Sequence, residues 1–150
     1  MSQISSRVER KRQKRKERNQ KLSFWVAQTI LAGVFFLQGL MKLIIPVEDL
    51  AQTQFWINVA PELFVKLIGL IEVLAGIGLI VPAMLLYRPE WSMRAGFGVL
   101  LLLLLAGVFH IIRQEWNNLP TIVVLAAIDV YFLWGRLKIE PIREKTPVRR

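Results

Sequence analysis

The sequence predicts an all-α fold, a polytopic membrane four-helix bundle with both termini on the cytoplasmic side. Three observations predict it. Charge is concentrated at the two ends, whereas the middle is mostly Leu, Ile, Val, Ala, Phe and Gly. That middle lacks the polar–apolar alternation with which a soluble chain builds a buried face. It divides into four apolar segments bounded by proline or charged residues, with lengths near the roughly 20 residues that span a bilayer. The expected layout is a basic cytoplasmic tail without fixed structure over 1–21, a bundle over 22–136, and a second basic tail over 137–150.

The first segment runs over 24–45 and ends at Pro46, which has no amide to continue a helix. The second runs over 63–86 after Pro61, and the third over 95–112. The fourth runs over 120–135, opening on Pro120, which suits a first helical turn. It is the shortest and carries Asp129. The basic start is not a secretory leader, because the apolar run after it is too long and has no small-residue cleavage site.

Orientation follows from the lysines and arginines. Four spans put residues 1–21, the 87–94 connection and the C-terminal tail on one side. That side then holds all but three (Lys42, Lys66 and Arg113) of the 20 basic residues. Basic residues collect on the cytoplasmic side. The 46–62 connection, with Glu48, Asp49 and Glu62 and no cation, falls on the other. Trp25, Trp56, Trp91, Trp116 and Trp134 all fall at or near span ends, the pattern of an interfacial aromatic belt.

Composition removes several functions. The absence of cysteine excludes thiol chemistry and cysteine-ligated iron–sulfur or zinc sites. One histidine, His110, excludes a haem held by two histidines of one chain. No metal site is expected. The net charge of +9 is read as topology and attraction to anionic lipid. Nucleic acid is not an expected partner, since no aromatic residue is interleaved in the basic tail to stack on bases.

Ionisable residues inside spans need a partner or a purpose, because each costs about 2.5–3.5 kcal/mol to insert. Lys42, Glu72, His110 and Asp129 are the candidates for a ligand or proton pocket. Lys42 and His110 lie about 5 Å in from the outer end of their spans, and Glu72 and Asp129 about 13 Å deep. If all four face the axis, they form a short polar column open to the outside. The alternative for each is structural: a snorkelling lysine, a carbonyl-bonded histidine, interhelical carboxyl hydrogen bonds. Gly39, Gly69, Gly76 and Gly107 share faces with these residues and are the expected sites of close helix packing. Lys66, Arg113 and Arg136 sit near span ends and read as interfacial anchors.

The stretch Gly39-Leu-Met-Lys42-Leu-Ile-Ile-Pro46 resembles the end of the first helix in the DoxX family. Ile68-Gly-Leu-Ile-Glu72-Val-Leu-Ala-Gly76-Ile-Gly78-Leu-Ile-Val-Pro82 is similar to that family's second-helix motif, and His110 to a histidine late in its third helix. The resemblance covers about residues 24–135. It implies a four-helix integral protein of the bacterial inner (plasma) membrane. Asp129 and the basic tail have no counterpart in that pattern. The family takes its name from a subunit of a quinone-linked oxidoreductase, and relatives act in redox homeostasis and in membrane-protein assembly.

Two functions are therefore expected. The first is a non-enzymatic subunit or assembly factor, working with another membrane protein or redox complex in the bilayer and holding no cofactor. The alternative is a quinone-linked redox or proton-transfer component using the polar column. The chain has no redox centre of its own, so a quinone and its electrons would come through a partner.

Overall fold

The computed structural model describes residues 2–85 and 90–139, and all of their regular secondary structure is helical. Helix α1 spans Ser2–Ile44, a short α2 Val47–Ala51, α3 Glu62–Leu85, α4 Glu90–Ile112 and α5 Leu119–Trp134. Three of them, α1, α3 and α4, are long and apolar enough by themselves to cross a membrane, and α5 is so together with the helical turns that flank it. They pack in a ring in which α1 meets α3, α3 meets α4, α4 meets α5, and α5 returns to α1. The chain is thus a polytopic membrane four-helix bundle, with a large apolar surface directed outward to lipid.

Three boundaries differ from expectation. Residues 2–21, expected as an unstructured tail, continue α1 without a break. No glycine or proline precedes Gly33. The Lys, Arg, Glu and Gln residues there are good helix formers, and a helix already nucleated in the span propagates into them. At 43 residues α1 is about 64 Å long, twice the roughly 30 Å hydrocarbon core, so its basic end projects beyond the bundle. Helix α4 begins at Glu90 rather than 95. The fourth span is short as an α-helix. It gains a 3₁₀ turn before it (Trp116–Asn118) and a π turn after it (Gly135–Ile139), and the crossing runs over the 23 residues Trp116–Lys138. The expected end of span two at Leu86, Arg88 of the next connection, and residues 140–150 of the expected C-terminal tail lie outside the described residues.

The main core joins Leu31 and Phe35 of α1, Leu79 of α3, Val99 and Leu103 of α4, and Phe132 and Leu133 of α5. A second, smaller core forms where the 46–61 connection folds back. Leu50, Ala51 and Ile57 close over Val65 at the start of α3. The bundle therefore has a capped loop end, carrying the 46–61 and 113–118 connections, and a tail end, carrying the N-terminal extension and the π turn.

Candidate functional site

Close approach of α1 and α3 places the first pair. A Cβ on Gly39 would lie 2.5 Å from the carbonyl oxygen of Gly69 and 2.7 Å from the amide nitrogen of Val73. A Cβ on Gly69 would meet Lys42 Cβ at 2.8 Å, and one on Gly76 the Ala32 carbonyl oxygen at 2.8 Å. Only hydrogen fits at these three positions, as the small-residue pattern suggests. Gly107 is different: a Cβ there would make an ordinary 3.7 Å contact with Ile122, so close packing does not require it.

On this seam Lys42, in the last turn of α1, reaches across to Glu72 of α3. Its Nζ donates to both carboxylate oxygens, at 2.7 and 3.0 Å. The side chains are 5 % and 16 % exposed, so lipid and protein, not water, surround most of the pair. Lys66 of α3 lies nearby and donates to the carbonyls of Leu43 and Ile45 at 3.2 Å each. These are carbonyls that the end of a helix leaves without an amide. The expected anchor is a cap supplied by the neighbouring helix.

His110 has other partners. It stands in the last turn of α4, and its Nδ1 lies 2.7 Å from Glu115 Oε2 and 3.2 Å from the Asn118 side-chain amide. Arg113 Nε donates to the other Glu115 oxygen at 2.7 Å. The Arg113 guanidinium beside Glu115, joined by the His110 contact, holds its carboxyl below the usual range. An ionised Glu115 has no proton to offer, so His110 Nδ1 is the donor. The chain reverses here with Gln114 at φ 58°, a left-handed turn, and the Glu115 amide returns to the His110 carbonyl at 2.9 Å. The group terminates α4 and shapes the 113–118 connection.

Asp129 is alone. It sits in α5, fully buried, on the face that carries Leu125, Ala126, Phe132 and Leu133 into the main core. Neither carboxylate oxygen meets a hydrogen-bond donor among the described residues. The expected column is therefore not continuous. Lys42 and Glu72 meet, while His110 and Asp129 are hydrogen-bonded to neither. Depth along a span comes from counting residues, but rotation of each helix is set by its neighbours.

A further polar group went unforeseen, at the tail end. Gln28 of α1 is fully buried, as is Ser92 of α4, and Arg136 in the π turn is 2 % exposed. Gln28 Nε2 donates to Ser92 Oγ at 2.9 Å and to the Leu79 carbonyl, which also accepts from Ser92 Oγ. Arg136 Nη2 donates to Gln28 Oε1 at 2.9 Å, and its guanidinium lies 4.9 Å from the centre of the Trp25 ring. The group ties α1, α3, α4 and the end of α5 together. Leu79 is three residues before Pro82, inside α3. Pro82 has no amide for the Gly78 carbonyl four residues back, and in that same turn side chains of α1 and α4 add hydrogen bonds to the Leu79 carbonyl. Pro82 was the available signal. Gln28 and Ser92 are uncharged and carry no such signal of their own, and Arg136, expected as an interfacial anchor, is buried instead.

The model of a DoxX-like family matches residues 26–132 of this chain. No curated protein and no solved structure matches it. The matched stretch contains the Gly39–Gly69–Gly76 seam, the Lys42–Glu72 pair, His110 and Asp129, and stops short of the basic extension and Arg136.

Proposed function

This chain belongs to the DoxX-like family of integral membrane proteins, and on that basis we propose that it serves as a non-enzymatic subunit or assembly factor of a membrane complex. The observation that carries the reading is the fate of the polar residues within the spans. Lys42 takes Glu72, His110 takes Glu115, and Gln28 takes Ser92 and Arg136. Each group fastens helices or a connection, rather than converging with the others on a shared cavity. What the bundle offers outward is apolar: Leu67, Leu70 and Leu74 on α3, and Leu101, Leu104 and Leu105 on α4. Such faces suit lipid and the helices of another membrane protein. The basic extension supports an orientation with the tail end in the cytoplasm, and the family resemblance supports a bacterial inner membrane.

The test is purification of the full chain in mild detergent. A second membrane polypeptide should accompany it at fixed stoichiometry and remain attached through crosslinking and size separation. A chain that stays monomeric and releases a quinone on solvent extraction would overturn the proposal.

One observation favours a proton-transfer component instead, namely the buried carboxylate of Asp129, which meets no donor among the described residues. An intramembrane acid without a structural partner is by default a functional candidate. Asp129→Asn keeps shape and polarity but cannot exchange the proton. Under the subunit reading it leaves complex assembly and proton-linked phenotypes intact. Loss of a proton-linked phenotype with assembly intact would establish the second reading.

A further inference from the structure

A groove runs along the outside of the bundle between α1 and α5, toward the tail end. Its walls are Leu22, Val26, Ala27 and Ile30 from α1 and Ala127 and Ile128 from α5, and it is a shallow, open depression of about 570 Å³. That falls within the roughly 300–1,000 Å³ of small-ligand sites. The groove is almost wholly apolar until its upper end, where the Ser23 hydroxyl and the Tyr131 hydroxyl meet at 2.7 Å, with Asn19 above them. Directly beyond, a second depression continues along α1 and is lined by Arg12, Arg15 and Lys16, sharing Asn19 and Ser23 with the first.

The two depressions are one stripe of one helix. Positions 12, 15, 16, 19, 23, 26, 27 and 30 recur at three- and four-residue steps, which keeps them on a single face. Along that face the chemistry changes once, from cationic through hydroxyl and amide to hydrocarbon. From Leu22 to Ile30 is about 12 Å of helix, close to the half of a roughly 30 Å hydrocarbon core that one leaflet provides. The cations begin where the headgroups of that leaflet would stand. A phospholipid has this profile: a diester phosphate at one end and a leaflet-deep acyl chain at the other.

We propose that the α1–α5 groove binds one anionic phospholipid, its acyl chain between Ala27 and Ala127 and its phosphate on Arg12, Arg15 and Lys16. The hydroxyl pair of Ser23 and Tyr131 marks where hydrocarbon gives way to polar groups; Ser23 Oγ donates to the Gln20 carbonyl at 2.8 Å and accepts from Tyr131, so both protons are engaged within the protein. Continuity of the basic extension with α1 as one helix is what holds the cations over the groove. A flexible tail would attract the same lipids without aligning them to it.

Native mass spectrometry of the full chain released from detergent tests this, with phosphatidylglycerol and phosphatidylcholine added in turn. One phosphatidylglycerol should stay bound at collision energies that strip phosphatidylcholine. The triple variant Arg12→Gln/Arg15→Gln/Lys16→Gln should lower its retention at least about tenfold, given the strength of basic residues at anionic surfaces. It leaves Arg7, Arg10, Lys11, Lys14, Arg18 and Lys21 to maintain topology. Ala127→Phe, at an exposed position, should fill the groove and lower retention to a similar degree with no change of charge. Equal retention of the two lipids, or loss in the triple variant but not in Ala127→Phe, would reduce the effect to diffuse attraction and overturn the site. Displacement by inorganic phosphate alone would assign a free-anion site instead. A dimer that Ala127→Phe dissociates would put a second copy of the chain in the groove.

Discussion

Removal of one partner of the Lys42–Glu72 pair should destabilise the bundle far more than removal of both. The Nζ-to-carboxylate distance of 2.7 Å gives a gross attraction of about 6 kcal/mol at an effective dielectric near 20. Burying two ions costs several kcal/mol each, so the net contribution of the intact pair is small. Glu72→Leu deletes the attraction but leaves the Lys42 ammonium at 4 % exposure, and breaking a buried pair this way costs about 3–5 kcal/mol. Lys42 lies near the loop end, where its stem can swing toward headgroups, so the lower figure is expected. Lys42→Met/Glu72→Leu removes both desolvation penalties and should fall within about 1 kcal/mol of the parent. Unfolding in mixed micelles by a denaturing detergent, followed by tryptophan fluorescence, measures all four corners of the cycle. About 3 kcal/mol is roughly a hundredfold in the unfolding equilibrium. If the double variant is as unstable as Glu72→Leu, the pair is not the source of the loss and the reasoning fails. A single variant within about 0.5 kcal/mol of the parent would mean that Lys42 reaches water unaided.

Asp129→Leu should raise stability by about 1–3 kcal/mol, because it removes an unsatisfied buried polar group from the main core; a loss in the same unfolding assay would reveal a partner for that carboxylate. Gly39→Ala forces a Cβ to within 2.5 Å of backbone and should lower stability by about 1–3 kcal/mol, whereas Gly107→Ala should leave it unchanged or slightly raised, and equal effects at the two sites would contradict the packing described. Gln28→Leu strips partners from Ser92 and Arg136 together and should lower stability by about 1–3 kcal/mol; Gln28→Glu keeps the acceptor for Arg136 but sets a carboxylate oxygen against the Leu79 carbonyl, so it should not restore the parent's stability. The carboxyl of Glu115 is lowered in the folded protein, so its contribution is present above the ordinary glutamate value of 4.5 and is lost as pH falls through the lowered one. Hydrogen-exchange protection over 113–118 should therefore fall only at pH below the ordinary glutamate value, and Glu115→Gln should abolish that dependence.

How much was legible follows from the physics of each signal. Hydrocarbon excludes unpaired backbone and rewards apolar length, so the four spans and their order could be read directly from residue type. The small-residue rule likewise located the Gly39–Gly69–Gly76 seam, and with it the neighbourhood of Lys42 and Glu72. It failed at Gly107, because a glycine is needed only where backbones touch, and α4 and α5 stand apart there by the width of an Ile122 side chain. Position along each helix was legible too, since the rise per residue is fixed. Rotation was not. Which faces of α4 and α5 turn inward depends on how their side chains interlock with α1 and α3. That packing sent His110 to Glu115 and left Asp129 by itself. The Gln28–Ser92–Arg136 group joins residues far apart in the chain around the Leu79 carbonyl, one turn before Pro82. The sequence by itself thus determined that this chain crosses a membrane as four helices and where two of them touch. Only the tertiary structure decided which polar residues meet, because a partner is chosen by helix rotation, and rotation is a property of the packed bundle rather than of any one span.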